Sequence, residues 1–283
     1  MNTVAVGEKP GFLQKTILYL ILWLGAIMSA FPFYWMFVVG TNDRSAVFHI
    51  PPKLVWGNLL LTNMEKVIER ILFFRSMYNS FILASLETVF VLFFCALAGF
   101  AFAKYEFPLK RSLFILVLGT LFVPQQLSLL PNYIIMAKLH WIDDFKAIIV
   151  PGMVNAFGIF WMRQYIEAAV SNDLIEAGRI DGCSHFRIFW RIILPIITPA
   201  LSTLGIFTFM YVWNDFMWPL VVLKSQEHFT LQMTLRQLLY NRDGVDYGMV
   251  MAATFTATLP LLLVFLLFNR WFISGLTSGA VKA

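Results

Sequence analysis

Charge is scarce in this chain. Only 13% of its 283 residues are Asp, Glu, Lys or Arg, against 59% hydrophobic ones, where a soluble globular domain carries about 25% charge. With a mean hydropathy of +0.74, the medium this sequence fits over most of its length is lipid. The net charge of +5 is spread out with no block of one sign, so no nucleic-acid partner is expected. Cysteine is nearly absent too. Cys95 lies inside an apolar run and Cys183 in a polar loop, which gives no disulfide framework. The four histidines, His49, His140, His185 and His228, fall in four separate connections with no HExxH or CxxC among them, so no metal site is expected. The phosphate-cradling pattern GxxxxGK(S/T) is missing as well. No nucleotide or other cofactor is therefore expected on this chain, and no catalytic cluster that would make it an enzyme.

What is present is apolar length. A helix needs about 20 apolar residues to cross a bilayer. Such stretches occur at about 12–39, 80–103, 112–130, 147–166, 196–222 and 248–272. The fold class expected is therefore all-α, a polytopic membrane protein with six transmembrane helices forming a single domain over 1–283. The first stretch is too long for the apolar region of a signal peptide and no cleavage-site pattern follows, so it is expected to stay in the mature chain. Pro124 and Pro131 interrupt the third stretch and Pro151 opens the fourth. Bundles tolerate such prolines because neighbouring helices satisfy the freed backbone groups. Aromatic residues make up 17% of the chain, which suits interfacial rings.

Six crossings put both termini on one side. Counting Lys and Arg over the connections gives 11 on the side of the termini and 10 on the other, a narrow margin for the positive-inside rule. The sharpest signal is 104–111, where Lys104, Lys110 and Arg111 crowd one short connection. Both termini are accordingly placed in the cytoplasm. On the other side, 40–79 contains Met64 to Phe74, in which Val67, Ile68, Ile71 and Leu72 recur at helical spacing between Glu65, Lys66, Glu69 and Arg70. That pattern predicts an amphipathic helix on the outer surface.

The most patterned segment is 171–195. Ser171 or Asn172 can cap a helix, and Asp173 and Glu176 sit in its first turn, where acids suit the helix dipole. Ala177, Gly178, Gly182 and Cys183 give a small-residue surface that permits close approach, and Gly182 permits a bend. A second helical run is predicted from Ser184 to Leu194, with Phe186, Phe189 and Trp190 against Arg187 and Arg191, before Pro195 and Pro199 redirect the chain. By physics alone this is equally a connecting hairpin or a docking element.

Here the residues resemble a known family. Glu176-Ala177-Gly178, Asp181-Gly182, Phe189 and Pro195 reproduce the spacing of the "EAA" motif of ABC importer permeases, with Gly178 and Cys183 standing where alanine is usual. The tail from Gly275 to Ala283 resembles the "GLTxGAVKG" ending of one subunit of the maltose-type carbohydrate permeases, departing only at Ala283. Tyr211-Val212-Trp213-Asn214-Asp215-Phe216 with Trp218-Pro219-Leu220 resembles that family's fifth-span signature, and Val123-Pro124-Gln125-Gln126 with Leu130-Pro131 its third span. The resemblance covers nearly the whole chain. It implies a type I ABC importer permease fold in the cytoplasmic (inner) membrane of a prokaryote, surrounded by membrane lipid. It further implies a second homologous permease subunit, a dimer of ATP-binding subunits holding ATP and Mg, and an extracytoplasmic solute-binding protein. In that frame 171–195 is a coupling segment inserted into a cleft of the ATPase. The cargo implied is a carbohydrate, an oligosaccharide first. The alternatives are a non-sugar solute such as a polyol phosphate, or a secondary transporter run by an ion gradient.

Two acids, Glu87 and Asp215, fall inside apolar stretches, where ionisable groups are costly and face the bundle interior or a water-filled path. Glu87 sits near the start of its stretch, close to the interface. Asp215 lies deeper, beside Asn214 and between Trp213 and Trp218, a mixture of polar groups and rings that suits a sugar. Helix-to-helix hydrogen bonding accounts for Asn214 and Asp215 equally well. Gln125, Gln126 and Asn155 are further path residues of the same kind.

Overall fold

The computed structural model describes residues 11–240 and 244–278, with side chains to Asn269. Among these all regular secondary structure is helical. In order the α-helices are α1 (Phe12–Gly40), α2 (Leu60–Arg70), α3 (Phe73–Lys104), α4 (Lys110–Gly119), α5 (Leu129–Lys138), α6 (Lys146–Gly152) and α7 (Ala156–Ala169). There follow α8 (Asn172–Ile180), α9 (His185–Ile188), α10 (Leu194–Ile196), α11 (Thr198–Asn214), α12 (Met217–Val222), α13 (Leu231–Gln237) and α14 (Tyr247–Ser278). Three helical stretches are long and apolar enough to cross a membrane by themselves: Phe12–Gly40, Phe73–Lys104 and Tyr247–Asn269. Two bent pairs, Lys110–Phe122 with Gln125–Lys138 and His185–Ile196 with Thr198–Asn214, raise that to five if each is one span.

The breaks have identifiable causes. The chain turns by 96° at Val123-Pro124, where proline offers no N–H and restricts the residue before it. The stretch predicted at 147–166 is two helices, α6 and α7, parted after Gly152. Asn155 restarts the second by accepting a 2.7 Å hydrogen bond from the Gly158 N–H. Pro195 gives no hydrogen bond to the carbonyl four residues earlier, and residues 189–193 widen into a π turn. The outer helix predicted over Met64–Phe74 lies earlier, at Leu60–Arg70, because the chain breaks at Leu72 (φ −78°, ψ 57°) and α3 has begun by Phe73.

The chain forms two compact units. Of the described residues, the first comprises 11–67 with 244–256. Its core holds Val38, Val39, Ala46, Val67, Met249, Ala252 and Ala253. A Cβ on Gly40 would stand 2.8 Å from the Ala252 backbone nitrogen, so only glycine allows α1 and α14 to cross this closely. Asn63 fastens the junction by donating to the Gly40 and Asn42 carbonyls, each at 2.9 Å. Along α1 the side chains from Phe12 to Tyr34 are exposed and overwhelmingly apolar.

The second unit comprises, of the described residues, 68–240 with 257–278. It is built on α3, which packs chiefly against α7 and α11. Val91, Cys95, Ala96, Phe100, Met162, Ile166, Ile193 and Leu204 are buried together in this seam. At Gly99 an added Cβ would meet the Met162 Cβ at 2.7 Å. Helix α3 starts at Phe73, nearly two turns before the apolar run does. Its polar first turns are satisfied by the 227–234 segment: Asn79 donates to the Glu227 and Phe229 carbonyls (2.8 and 3.0 Å), and Ser80 accepts from the Leu231 N–H (2.8 Å).

Candidate functional site

The 171–199 segment folds as a hairpin. Helix α8 starts after Ser171, whose side chain makes no capping bond, and carries Asp173 in its first turn. It ends in a Schellman motif. The Cys183 N–H donates to the Gly178 carbonyl (2.9 Å) and the Gly182 N–H to the Arg179 carbonyl (3.0 Å). Gly182 has φ +75° with nothing within 4 Å of a Cβ placed there. It therefore stops the helix rather than bending it, and the space beside it is open. Ser184 then caps α9, accepting from the Arg187 N–H at 3.3 Å.

The seven motif residues divide into two groups. Gly178 and Phe189 are buried. A Cβ on Gly178 would meet the Ile192 Cδ1 at 3.0 Å, and the Phe189 ring packs 5.9 Å from that of Phe100. Gly178 thus lets the two arms of the hairpin close on each other, and Phe189 ties the hairpin to the α3 seam. Glu176, Ala177, Asp181, Gly182 and Pro195 are exposed. Beside them stand large apolar side chains in the open: Ile180 is 86% exposed, Phe186 57% and Leu174 44%. Sequence reasoning passed over Ile180 and Leu174, although their apolar character between charged neighbours is visible in the chain itself.

The intramembrane candidates lie in the second unit and gather only in part. Tyr211 donates to the Gln125 Oε1 at 2.7 Å, which joins α11 to the 3₁₀ turn Gln125–Ser128. Asp215 ends α11, and its Oδ1 accepts from the Met217 and Trp218 N–H groups (3.1 and 3.5 Å). Asn214 donates back to the Met210 carbonyl at 2.8 Å and accepts from Gln232 at 3.4 Å. The Trp218 indole N–H donates to the Ala147 carbonyl at 2.9 Å. Trp213 is 2% exposed and stacks on Phe209, so within this chain its ring faces the core. Asn155 serves as the cap of α7, and Gln126 is exposed.

Glu87 is placed differently from its sequence expectation. Because α3 begins at Phe73, Glu87 falls near the middle of the helix and is buried. Its carboxyl rests on Gly152 so closely that a Cβ there would overlap it. Among the described residues neither Glu87 nor Asp215 has an ion-pair partner. The result is a set of acceptors and hydroxyls, two of them acids, reaching from buried Glu87 to exposed Tyr211 and Gln125. Tyr211 was legible one turn before Asp215; the Glu87–Gly152 contact joins distant segments and has no local signal.

Outside the apolar helices, one polar clip joins two loops. Asp143, at φ +65°, accepts from the Lys224 and Ser225 N–H groups (2.9 and 3.0 Å) and from the Ser225 hydroxyl. The His228 Nδ1 lies 3.1 Å away. Burial opposes its charge, but these donors together hold its carboxyl well below the usual carboxylate range. Among the described residues no group of three His, Cys, Asp or Glu side chains is placed to hold a metal ion.

Comparison with known proteins follows the same lines. The model of the family described as "Binding-protein-dependent transport system inner membrane component" matches residues 8–278. The chain is 38% identical over 211 residues to the arabinooligosaccharides transport system permease protein AraQ of Bacillus subtilis, covering 75% of this chain and 74% of that one. It is 31% identical to the sn-glycerol-3-phosphate transport system permease protein UgpE of Pectobacterium atrosepticum, over 92% of this chain and 95% of the other. Its fold matches a chain from the crystal structure of a bacterial ABC transporter involved in the import of the acidic polysaccharide alginate. The TM-score is 0.80 and the identity 21%, over 94% of this chain and 100% of that one.

Proposed function

The chain belongs to the binding-protein-dependent transport system inner membrane components, and we propose that it is one of two permease subunits of an ATP-driven importer for a carbohydrate. Six crossings are then made by α1, α3, the bent pair from Lys110 to Lys138, α6 with α7, the run from His185 to Asn214, and α14. Both termini and the 171–195 hairpin face the cytoplasm. The chain has no phosphate-binding loop, so its energy arrives from a partner. A dimer of ATP-binding subunits, holding ATP and Mg, supplies it by moving the hairpin as a rigid lever. An extracytoplasmic binding protein delivers the cargo to the opposite face.

One observation carries the coupling role: the hairpin exposes Leu174, Ile180 and Phe186 around an open left-handed turn at Gly182. Apolar side chains exposed beside a hairpin anchored on its other face describe a surface made to be covered. Gly178 locks the two arms together and buried Phe189 supplies the anchorage that lets a push on the hairpin reach α3.

The carbohydrate reading is favoured over a phosphate-bearing solute by the polar set on α3 and α11. Hydroxyls and acceptors at Tyr211, Asn214, Asp215 and Gln125 suit a polyhydroxylated ligand. Asp215, which has no described cationic partner, opposes an anion on the same path. The test is uptake by proteoliposomes carrying the assembled complex, with the cognate binding protein and a panel of labelled sugars and glycerol phosphate. The proposal expects ATP-dependent entry of a sugar. Entry of glycerol phosphate alone ends the carbohydrate reading, and entry driven by an ion gradient without ATP ends the importer reading.

A further inference from the structure

Where α3 gives way to α4, the chain turns sharply and Leu109 adopts φ +62°, a costly conformation for a bulky side chain. The turn walls a cavity of about 710 Å³ lined by Lys110, Arg111, Arg163 and Glu106, with the rings of Phe102 and Phe107. Three cations thus face one carboxylate. Glu106 lies 2.9 Å from Lys110, but its side chain is 91% exposed, and such an exposed pair is worth little. Arg163 is bonded to Glu167 at 3.2 Å, while its guanidinium stands 4.2 Å over the Phe114 ring, which holds the charge at the cavity wall. Arg111 is exposed and has no described ion-pair partner. Immediately beyond the cations, α4 presents Leu113, Ile115 and Leu116 in the open.

We propose that this cavity binds the phosphate headgroup of one anionic membrane phospholipid, with its acyl chains laid along the exposed apolar side of α4. The cations account for an anion, and basic pockets between transmembrane helices are known lipid-headgroup sites. A free phosphate would leave the apolar wall of α4 unused; a lipid uses both at once. The inference rests on the membrane placement of α3 and α4, and on neither the cargo nor the side that faces the cytoplasm.

The experiment is native mass spectrometry of the purified full chain, alone and in its complex, titrated with phosphatidylglycerol or phosphatidylcholine. Phosphatidylglycerol should bind at least about ten-fold more tightly, since each cation near a membrane surface is worth about a five-fold factor. Arg111 is exposed and in no described ion pair, so Arg111→Gln should fold as the unaltered chain does. It should weaken phosphatidylglycerol alone by about five-fold, and adding Lys110→Gln and Arg163→Gln should bring the two lipids level. Lys138→Gln, on the far helix α5, should change nothing. Equal binding of the two lipids by the unaltered chain overturns the assignment, as does a Lys138→Gln loss matching that of Arg111→Gln. Complete displacement by millimolar inorganic phosphate gives the cavity to a free anion, and loss of lipid only in the assembled complex gives it to a protein neighbour. Either result also overturns the lipid assignment. Normal sugar uptake alongside a failed lipid preference would leave the importer reading untouched.

Discussion

Replacing Gly182 separates docking from folding more cleanly than any other change. Its φ of +75° is the only local demand on the residue, because no atom lies within 4 Å of an added Cβ. Gly182→Ala therefore costs the left-handed penalty of about 1–2 kcal/mol and no clash. Gly182→Asn costs less, since asparagine visits this region, yet it places a larger side chain in the open space. The Schellman bonds from Gly182 and Cys183 are backbone bonds and survive both changes. Folding alone thus ranks Asn above Ala. Obstruction of a partner ranks them the other way. The assay is ATP-driven uptake and transport-coupled ATP hydrolysis in proteoliposomes, beside the thermal stability of the purified complex. The expected outcome is that Gly182→Asn assembles and melts near the unaltered protein but loses most coupled uptake, more than Gly182→Ala does. Normal uptake with normal ATPase stimulation in the Asn variant would refute docking at this turn. Uptake that merely follows the folded fraction would refute it as well.

Three further outcomes follow from the other contacts. Asp215→Asn keeps an oxygen to accept from the Met217 and Trp218 N–H groups, so assembly should change by less than about 1 kcal/mol while uptake falls; loss of the complex in a pull-down would make Asp215 structural. Gly152→Ala forces a methyl into the Glu87 carboxyl and should destabilise by about 1–3 kcal/mol, with Glu87→Ala restoring the melting temperature in the double variant; additive losses would contradict the contact. Asp143 is held below the usual carboxylate range, so its clip is fully stabilising at neutral pH and is lost only as acid protonates it, below the ordinary value of about 3.9. The protection factors of the Lys224 and Ser225 amides should therefore stay constant between pH 8 and 5, and should fall in Asp143→Ala, which removes their acceptor; loosening near pH 6 in the unaltered chain would contradict that assignment.

The parts of the fold that read well from sequence are those whose information is local. Charge-free length placed α1 and α14 within a residue or two at their starts, and the spacing from Asn172 to Pro195 gave both arms of the hairpin. What failed to read depends on distant partners. Nothing near Phe73 announces that α3 begins there, because its polar turns are satisfied by residues 227–234. Those two missing turns are also why Glu87 reads from the sequence as an interface residue rather than one in the middle of a helix. Apolar continuity over 147–166 and 196–222 hid the breaks after Gly152 and Asn214, since hydropathy does not register a missing backbone bond. Among the candidate path residues, residue type singles out Asn214, Asp215 and Gln125 but gives no sign that Trp213 turns inward. The tail motif continues past Ser278, outside the described residues.

The importer reading stands most directly on the partner that the hairpin implies. Purifying the tagged chain from its own membrane in mild detergent and assaying the eluate for ATP hydrolysis tests it in one step. The account predicts that an ATP-hydrolysing dimer and a second permease co-elute. It also predicts that Ile180→Asp, which charges the most exposed apolar residue of the hairpin, sheds the ATPase while keeping the second permease. A chain that elutes without ATPase activity, or an Ile180→Asp chain that keeps all of it, would contradict the account.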